Sequence, residues 1–483
     1  MTKDAFAVLL LLTSPALSAG GPNEQTGQTG QAGQAVRFTI NQAIEFALGV
    51  NPQVLEAREQ ITEFNELVRQ ARSEALPQVD AYVSVVANRD PGLSNSPFFS
   101  QLLEGPDPIP PEALEPLHFQ NFIWNFSVQQ PIYAFGRVQN AIRAANNELG
   151  GVEEDVRAEE NRISRDVARA CYGFLLAQQR LEVLETERQA RQRQLEQVEA
   201  RFELEDATKL DLLRARVALA NLGPEILAAE NERRIALALV NDTLGRPVMA
   251  PIEVNEVLEI PEPPPRVATS TELLAIATEH RPELLRFGVD RRVLENRVGV
   301  VRSDVLPQFD ANASIGVNTF GLQQFADTGF RSWAVGLSMT WTIFDGLGTP
   351  AAMNVLRSQV SQKQFEEASF RSTLALELEQ ATGTWTRALE AFEVAGFAVE
   401  QAREAERVAE ESFRYGAATT LDVLESTRAL RDAEFNQAQA AHEALVALAE
   451  MKYLVGYRAD APNSVLEGTT ISASNVSSQG AYR

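Results

Sequence analysis

The chain contains little of several residue types on which common protein functions depend. It has one cysteine and three histidines in 483 residues, which excludes an intrachain disulfide framework and argues against a metal cluster. Acidic residues outnumber basic ones by 66 to 43, and the net charge of −23 disfavours nucleic acid as a partner. No apolar run is long enough for a membrane-spanning helix. There is no nucleophile constellation or phosphate-binding loop, so the sequence predicts neither an enzyme nor a cofactor.

The two ends of the chain differ in composition from the rest. An apolar run over residues 5–12 is followed by small residues, which predicts a signal peptide over residues 1–19. Residues 20–38 are rich in Gly, Gln and Thr, and residues 457–483 are rich in Ser, Gly and Asn. Such compositions are typical of flexible segments, so we predict a flexible lead and a flexible tail.

Between these ends the sequence repeats itself. The Leu-Pro-Gln at residues 76–78 returns 230 residues later, and the Leu-Asp at residues 210–211 returns 211 residues later. Self-similarity over so long a period predicts two equivalent structural units. We place repeat 1 at residues 39–245, a Pro-rich linker at 246–270 and repeat 2 at 271–456. The 19-residue difference between the two offsets comes from an insert after the first predicted strand of repeat 1.

Each repeat is predicted to contain a helix, two strands, a very long helix and a return helix. In repeat 1 the strands are expected near residues 77–90 and 120–133, the long helix near 136–202 and the return helix near 208–245. In repeat 2 the strands are expected near 307–320 and 331–344, the long helix near 347–413 and the return helix near 420–455. A helix of that length spans on the order of 100 Å.

The predicted strands alternate apolar and polar residues over about ten positions, which is the β period. Charge is nearly absent from them, with Asp80 and Asp310 at matching positions. Trp124, Trp333 and Trp341 lie in them and are candidates for aromatic residues at a membrane interface. This pattern favours strands of an outer-membrane barrel over its alternative, a soluble sandwich with one wet face.

The long helices carry apolar residues at alternating spacings of three and four, as at Val167, Ala170 and Phe174. That heptad pattern predicts a coiled-coil seam between helices. In the first return helix, Pro224 is expected to kink or break the helix.

Four strands cannot close a barrel, and lipid does not tolerate an open sheet edge. The chain is therefore expected to oligomerise, since two, three or four copies would supply 8, 12 or 16 strands. The residues by themselves leave these three numbers open.

The pattern as a whole resembles the TolC-like outer-membrane efflux and secretion channels. The features that carry the resemblance are the tandem repeat, Asn51-Pro52 and Arg281-Pro282 at matching starts, Leu-Pro-Gln before each first strand, the segment 131–136 and the helical turns at 207–211 and 418–424. The resemblance extends from Thr39 to Gly456.

The resemblance implies a mostly α fold with a β membrane part. Three chains would form a 12-stranded barrel in outer-membrane lipid and a coiled-coil α-barrel in the periplasm. Such a homotrimer is the passive exit duct of a tripartite efflux or type I secretion system. Its implied partners are a periplasmic adaptor (membrane fusion) protein and an inner-membrane transporter. The adaptor would contact the helical tips, at Thr208, Leu210, Thr419 and Leu421.

The family's pore gate lies at these tips, where acidic residues ring the channel. The matching residues are Asp422 and Glu425, with Asp211 as the counterpart in repeat 1. A ring of carboxylates in a narrow pore attracts cations. The alternative is that Asp211 and Asp422 cap their helices, because each follows a threonine by three residues. The two roles can coexist.

The family also holds its gate closed with an arginine in the second turn, and Ala418 occupies that position here. We hypothesise that an Arg214–Glu425 or an Arg414–Asp211 pair replaces the missing bond.

A different class of protein, a periplasmic coiled-coil adaptor or scaffold without a pore, is the alternative function. An adaptor would carry charge on both faces of its strands, and these strands nearly lack charge.

Overall fold

The structure is a computed structural model that describes residues 36–90, 117–319, 329 and 331–467. The predicted signal peptide, nearly all of the predicted lead and most of the insert in repeat 1 lie outside these residues. None of the described helices contains an 18-residue stretch apolar enough to cross a membrane.

The two repeats contain the same elements in the same order. Repeat 1 comprises α1 (Ile40–Val50), α2 (Pro52–Ser73), β2 (Gln78–Asp90), β3 (Leu117–Tyr133), α3 (Arg137–Glu203) and α4 (Lys209–Thr243). Repeat 2 comprises α5 (Ser270–His280), α6 (Pro282–Arg302), β5 (Gln308–Thr319), β6 (Arg331–Thr340), α7 (Gly348–Arg414) and α8 (Thr420–Val455). Two short strands, β1 (Val36–Phe38) and β4 (Ile252–Val254), flank repeat 1.

The long helices α3 and α7 each have 67 residues, which corresponds to about 100 Å. Each packs along its own return helix, α4 or α8, and α3 also packs against α8. Apolar seam residues such as Leu374, Leu378 and Trp385 of α7 are buried against α8. The fold class predicted from the sequence, long coiled-coil helices joined to a small β part in tandem, is confirmed.

The four longer strands form one antiparallel sheet in the order β2-β3-β5-β6. The register aligns apolar residues across all four strands, as in the row Ala81, Phe126, Ile315 and Trp333. The neighbouring row on the opposite face is Asp80, Ser127, Ser314 and Ala334. The sheet therefore has one apolar and one mainly polar face. The apolar face is uncovered in the single chain, where Trp333 is 78% exposed.

The last strand is shorter than predicted. β6 ends at Thr340, whereas the sequence pattern suggested a strand to residue 344. The indole Nε1 of Trp341 donates to the carbonyl oxygen of Val305 at 3.1 Å, and the Asp345 carboxylate accepts from the backbone N–H groups of Leu347 and Thr349 at 3.0 and 2.6 Å. These local bonds compete with the strand ladder and start the next helix.

The predicted flexible tail is wrong over residues 457–467. Lys452 Nζ donates to the carbonyl oxygens of Ala459 and Ala461 at 3.0 and 2.6 Å. The Ala268 N–H donates to the Leu466 carbonyl at 2.8 Å, and the Leu466 side chain is fully buried. Composition suggested flexibility, but contacts with residues far away in the sequence order this segment.

The predicted linker and lead are also partly ordered. Strand β1, at the end of the predicted lead, pairs in parallel with β4 inside the predicted linker. These paired strands therefore close repeat 1, in the way that residues 457–467 close repeat 2.

The predicted break at Pro224 does not occur, because α4 continues through it. Leu222 and Ile226, on either side of the proline, are buried against Leu184 of α3. Packing of these residues stabilises the helix despite the lost backbone hydrogen bond.

Candidate pore gate at the helical tips

The tip of each long helical pair is a short turn followed by a capped helix. Thr208 accepts from the Asp211 backbone N–H at 3.2 Å, and the Asp211 carboxylate accepts from the Thr208 backbone N–H at 3.2 Å. Thr419 and Asp422 form the same two bonds at 3.3 and 2.7 Å. Both threonine–aspartate pairs are therefore reciprocal capping boxes, which fix where the return helices begin.

The cap leaves the second aspartate exposed and charged. The Thr419 backbone N–H, and then its hydroxyl, donate to Asp422 and hold the pKa of that carboxyl below its usual value. Glu425 lies three residues further on and is also exposed, so the two carboxylates share one face of α8. The structure brings these two candidate gate residues together, and Asp211 lies at the equivalent position of the other turn.

The proposed gate-holding pairs do not form within one chain. Among the described residues, neither Arg214 nor Arg414 has a carboxylate within 4 Å. A different arginine joins the tips of the two repeats: Arg201 Nη1 donates to the Phe413 carbonyl oxygen at 3.1 Å. Its guanidinium also lies 4.9 Å from the centroid of the Phe413 ring.

A small apolar cluster lies beside this contact. Its buried members come from all four long helices: Val198, Leu212, Ala215, Phe413 and Val423. The residues predicted to contact an adaptor, Thr208, Leu210, Thr419 and Leu421, are all exposed at the same end of the helices.

Higher up the helices, a buried ion pair joins the two repeats. The Glu187 side chain of α3 is only 2% exposed and contacts Arg431 of α8 at 3.0 Å. Glu187 also contacts Arg191 of its own helix. Arg191 Nη1 donates to the Ala218 carbonyl oxygen of α4 at 3.1 Å. This network links α3, α4 and α8 away from solvent.

The sequence analysis did not predict the Arg201–Phe413 and Glu187–Arg431 contacts, although the sequence contains a sign of them. Arg180, Glu187, Gln194 and Arg201 follow one another at intervals of seven residues. Each of them contacts repeat 2, Arg180 lying 5.3 Å from the Phe435 ring centroid and Gln194 donating to the Thr420 carbonyl at 3.3 Å. A polar heptad beside an apolar one marks a second helix contact.

The described residues contain no group of three or more His, Cys, Asp or Glu side chains that could hold a metal ion. His280 lies against the ring of Tyr457 at 5.2 Å between centroids, and burial lowers the pKa of His442. Cys171 is buried in the core of repeat 1. His280, His442 and Cys171 are therefore packed against other parts of the chain, as structural residues are.

The sequence profile of one family, described as outer membrane efflux protein, matches residues 43–246 and again residues 273–457. The chain belongs to this family. It is an outer-membrane exit duct with its helical part in the periplasm, and the alternative of an adaptor without a pore is not favoured. Members of the family are channels and not enzymes.

Individual relatives agree with this assignment. The chain is 25% identical over 352 residues to the alkaline protease secretion protein AprF of Pseudomonas aeruginosa, covering 70% of each chain. It is 23% identical over 415 residues to the outer membrane protein TolC of Vibrio cholerae, covering 84% of this chain and 88% of TolC. Among solved structures, the outer membrane protein VceC from Vibrio cholerae superposes with a TM-score of 0.70 at 18% identity, covering 86% of this chain and 96% of VceC.

Proposed function

We propose that three copies of this chain form a passive, non-enzymatic exit duct through the outer membrane. The observation that carries the proposal is the two-faced sheet at one end of helices about 100 Å long. Its apolar face would contact lipid and its polar face would line water, which is the arrangement of transmembrane barrels.

The edges of the sheet support the assembly. Strands β2 and β6 are the outer strands of the four-stranded order in the described residues, and lipid does not tolerate unpaired strand edges. Joining β6 of one copy to β2 of the next would close twelve strands. Trp333, near the loop end of the sheet, and Trp341, near its helical end, would then mark the two lipid boundaries, with Trp124 on the same lipid-facing surface.

At the other end of the duct, Asp422 and Glu425 would form two acidic rings in the closed pore. Arg214 and Arg414 are exposed and unpaired by any carboxylate within the described chain, so their proposed role is to pair with acidic residues of a neighbouring copy. If Arg214→Ala and Arg414→Ala both leave the conductance of the closed channel unchanged, this role is refuted.

The exposed tip residues Thr208, Leu210, Thr419 and Leu421 are the proposed contacts for the periplasmic adaptor, which couples the duct to an inner-membrane transporter. AprF is named for protein secretion, so type I secretion is proposed alongside efflux.

The function is tested by purifying the protein in mild detergent, measuring its size and inserting it into planar bilayers. We expect a trimer that conducts ions as single channels. A monomer that stays soluble without detergent and never conducts would refute the proposal.

The acidic ring gives a second measurement on the same channels. Asp422→Ala should weaken block by a trivalent cation at least about tenfold, because each trimer loses three carboxylates at the constriction. Asp211→Ala is the matched control, since it removes the equivalent cap of repeat 1 and should weaken block less. Unchanged block in Asp422→Ala would place Asp422 outside the pore.

A further inference from the structure

The long helices lie side by side in the order α4, α3, α8, α7. The inner contact, α3 with α8, joins the two repeats of one chain. The N-terminal part of α7 also packs on α5 and α6. Beyond that part, the outer faces of α4 and α7 pack on no other long helix among the described residues, yet they carry large apolar side chains. Leu227 of α4 is 66% exposed and Phe397 of α7 is 63% exposed. Apolar exposure on this scale marks a contact surface.

The repeat specifies which surface would cover which. Helix α7 is the counterpart of α3, and α4 is the counterpart of α8, each displaced by 211 residues. The contact equivalent to α3–α8 is therefore α7 with α4, and these two helices lie at opposite ends of the row. It can form only between chains, and a head-to-tail contact of this kind, repeated three times around one axis, would close the proposed trimer into a ring.

We propose that α7 of one copy packs on α4 of the next in the same register as α3 packs on α8 within the chain. This inference rests on the proposed trimer and goes further by naming the facing residues. The observed pairs Arg180–Phe435, Glu187–Arg431 and Gln194–Thr420 correspond to Ala391–Pro224, Ala398–Ala220 and Ala405–Lys209 between copies. All six of these counterparts are exposed in the single chain.

The α3–α8 contact within the chain is polar and charged, whereas the proposed α7–α4 contact between copies is not. The contact within the chain contains a buried ion pair, a cation over an aromatic ring and a polar bond to the backbone. The contact between copies would have alanine at three successive heptad positions of α7. Small side chains let helices approach toward the short end of the usual 8–10 Å range. We therefore infer a close, uncharged contact between copies, flanked by Phe397 of one and Leu227 of the next.

The first test moves the ion pair from one contact to the other. Ala398→Glu should raise the dissociation constant of the detergent-solubilised trimer at least about tenfold, because it buries a carboxylate without a partner. Adding Ala220→Arg in the same chain should restore most of the affinity, since it recreates the Glu187–Arg431 pair between copies. Adding Ala220→Glu instead should not. Equal affinity in all three variants would overturn the assigned contact.

The second test is disulfide formation, for which the only native cysteine, Cys171, is buried. Oxidation should link chains that carry Ala398→Cys with Ala220→Cys, because facing residues meet the short Cβ separation that a disulfide needs. Glu400→Cys with Ala220→Cys is the matched control, since Glu400 lies on another face of α7 and should not link.

The outcomes separate this inference from the proposed function. Linked chains in the first variant only would support the register. A conducting trimer in which Ala398→Cys and Ala220→Cys do not link would overturn the register and leave the duct intact. A parent protein that forms no trimer would overturn both.

Discussion

The ends of the two repeats show the same geometry achieved with different chemistry. In repeat 1, Asn241 Nδ2 donates to the carbonyl oxygens of Val248 and Ala250 at 3.2 and 2.9 Å. In repeat 2, Lys452 occupies the equivalent position and donates to the carbonyl oxygens of the residues equivalent to Val248 and Ala250, at 3.0 and 2.6 Å. The duplicated backbone fixed where two acceptors lie, and either an amide or an ammonium group satisfies them.

The starts of the repeats show the same relation. Asn51 Nδ2 donates to the Thr243 carbonyl at 2.8 Å, and Arg281 Nη1 donates to the Leu454 carbonyl at 3.0 Å. In both positions repeat 2 uses a cation where repeat 1 uses a neutral amide. At the Lys452 position repeat 2 should therefore respond to pH, which the Asn241 amide of repeat 1 cannot do. At both positions repeat 2 should respond to removal of the charge.

The largest effect should come from the contact between the repeats. Glu187→Ala leaves Arg191 and Arg431 without their shared carboxylate in a buried site, so it should cost about 3–5 kcal/mol of unfolding free energy. Denaturant unfolding of the helical part measures this loss. Glu225→Ala is the control, because Glu225 also contacts Arg431, at 3.4 Å, but is largely exposed, and it should cost less than about 1 kcal/mol. Equal losses would mean that burial of Glu187 does not matter.

The glycines that end the repeats should differ in their tolerance of a side chain. Gly245 and Gly456 have φ of +70° and +98°, a left-handed backbone that favours glycine. A Cβ at Gly456 would lie 2.6 Å from Arg281 Cα, and one at Gly245 would lie 3.0 Å from Asn51 Cα. Gly456→Ala should therefore cost about 2–4 kcal/mol and Gly245→Ala about 1–2 kcal/mol. Thermal unfolding of both variants tests the order, and a reversed order would contradict it.

The stability contributed by Lys452 in repeat 2 should change with pH by a smaller amount and with a definite sign. Burial lowers the pKa of Lys452 from 10.5 to about 8, so the folded protein releases this proton before the unfolded chain does. The penalty for burying the charge is complete below pH 8 and disappears as pH rises toward 10.5. Stability should thus gain up to about 3 kcal/mol across that window.

The measurement is thermal unfolding at pH 7.5 and 10. Lys452→Asn, which copies repeat 1, should lack this component of the pH dependence while keeping a donor for the two carbonyls. If the variant and the parent change equally with pH, Lys452 is not the responsible group.

The smallest effect concerns a seam position that differs between repeats. Glu406 of α7 lies where α3 has Leu195, and burial raises the pKa of the Glu406 carboxyl. The folded protein therefore binds this proton more readily, and burying the carboxylate costs stability at pH above the raised value. Glu406→Gln should stabilise by less than about 1 kcal/mol at pH 7.5, since the site is half in solvent. The gain should vanish near pH 4, and a constant gain would refute the titration.

Much of the fold followed from local pattern. The period of two in the strands predicted which residues share a sheet face, and the register confirms the rows through Trp333 and Asp80. The heptads predicted the coiled-coil helices. At the tips, the threonine–aspartate spacing predicted both capping boxes because those partners are three residues apart. The gate role of Asp422 and Glu425 stays a prediction.

What the sequence alone determined, then, are the features whose period is short: strand faces, helix seams, caps and the duplication itself. Only the tertiary structure decided which helix of one repeat meets which helix of the other. The partners Glu187 and Arg431 are 244 residues apart, and no local periodicity couples residues at that distance. The order of residues 457–467 was decided in the same way, because this segment bonds to Ala268 and to Ser164, which are distant from it in the sequence.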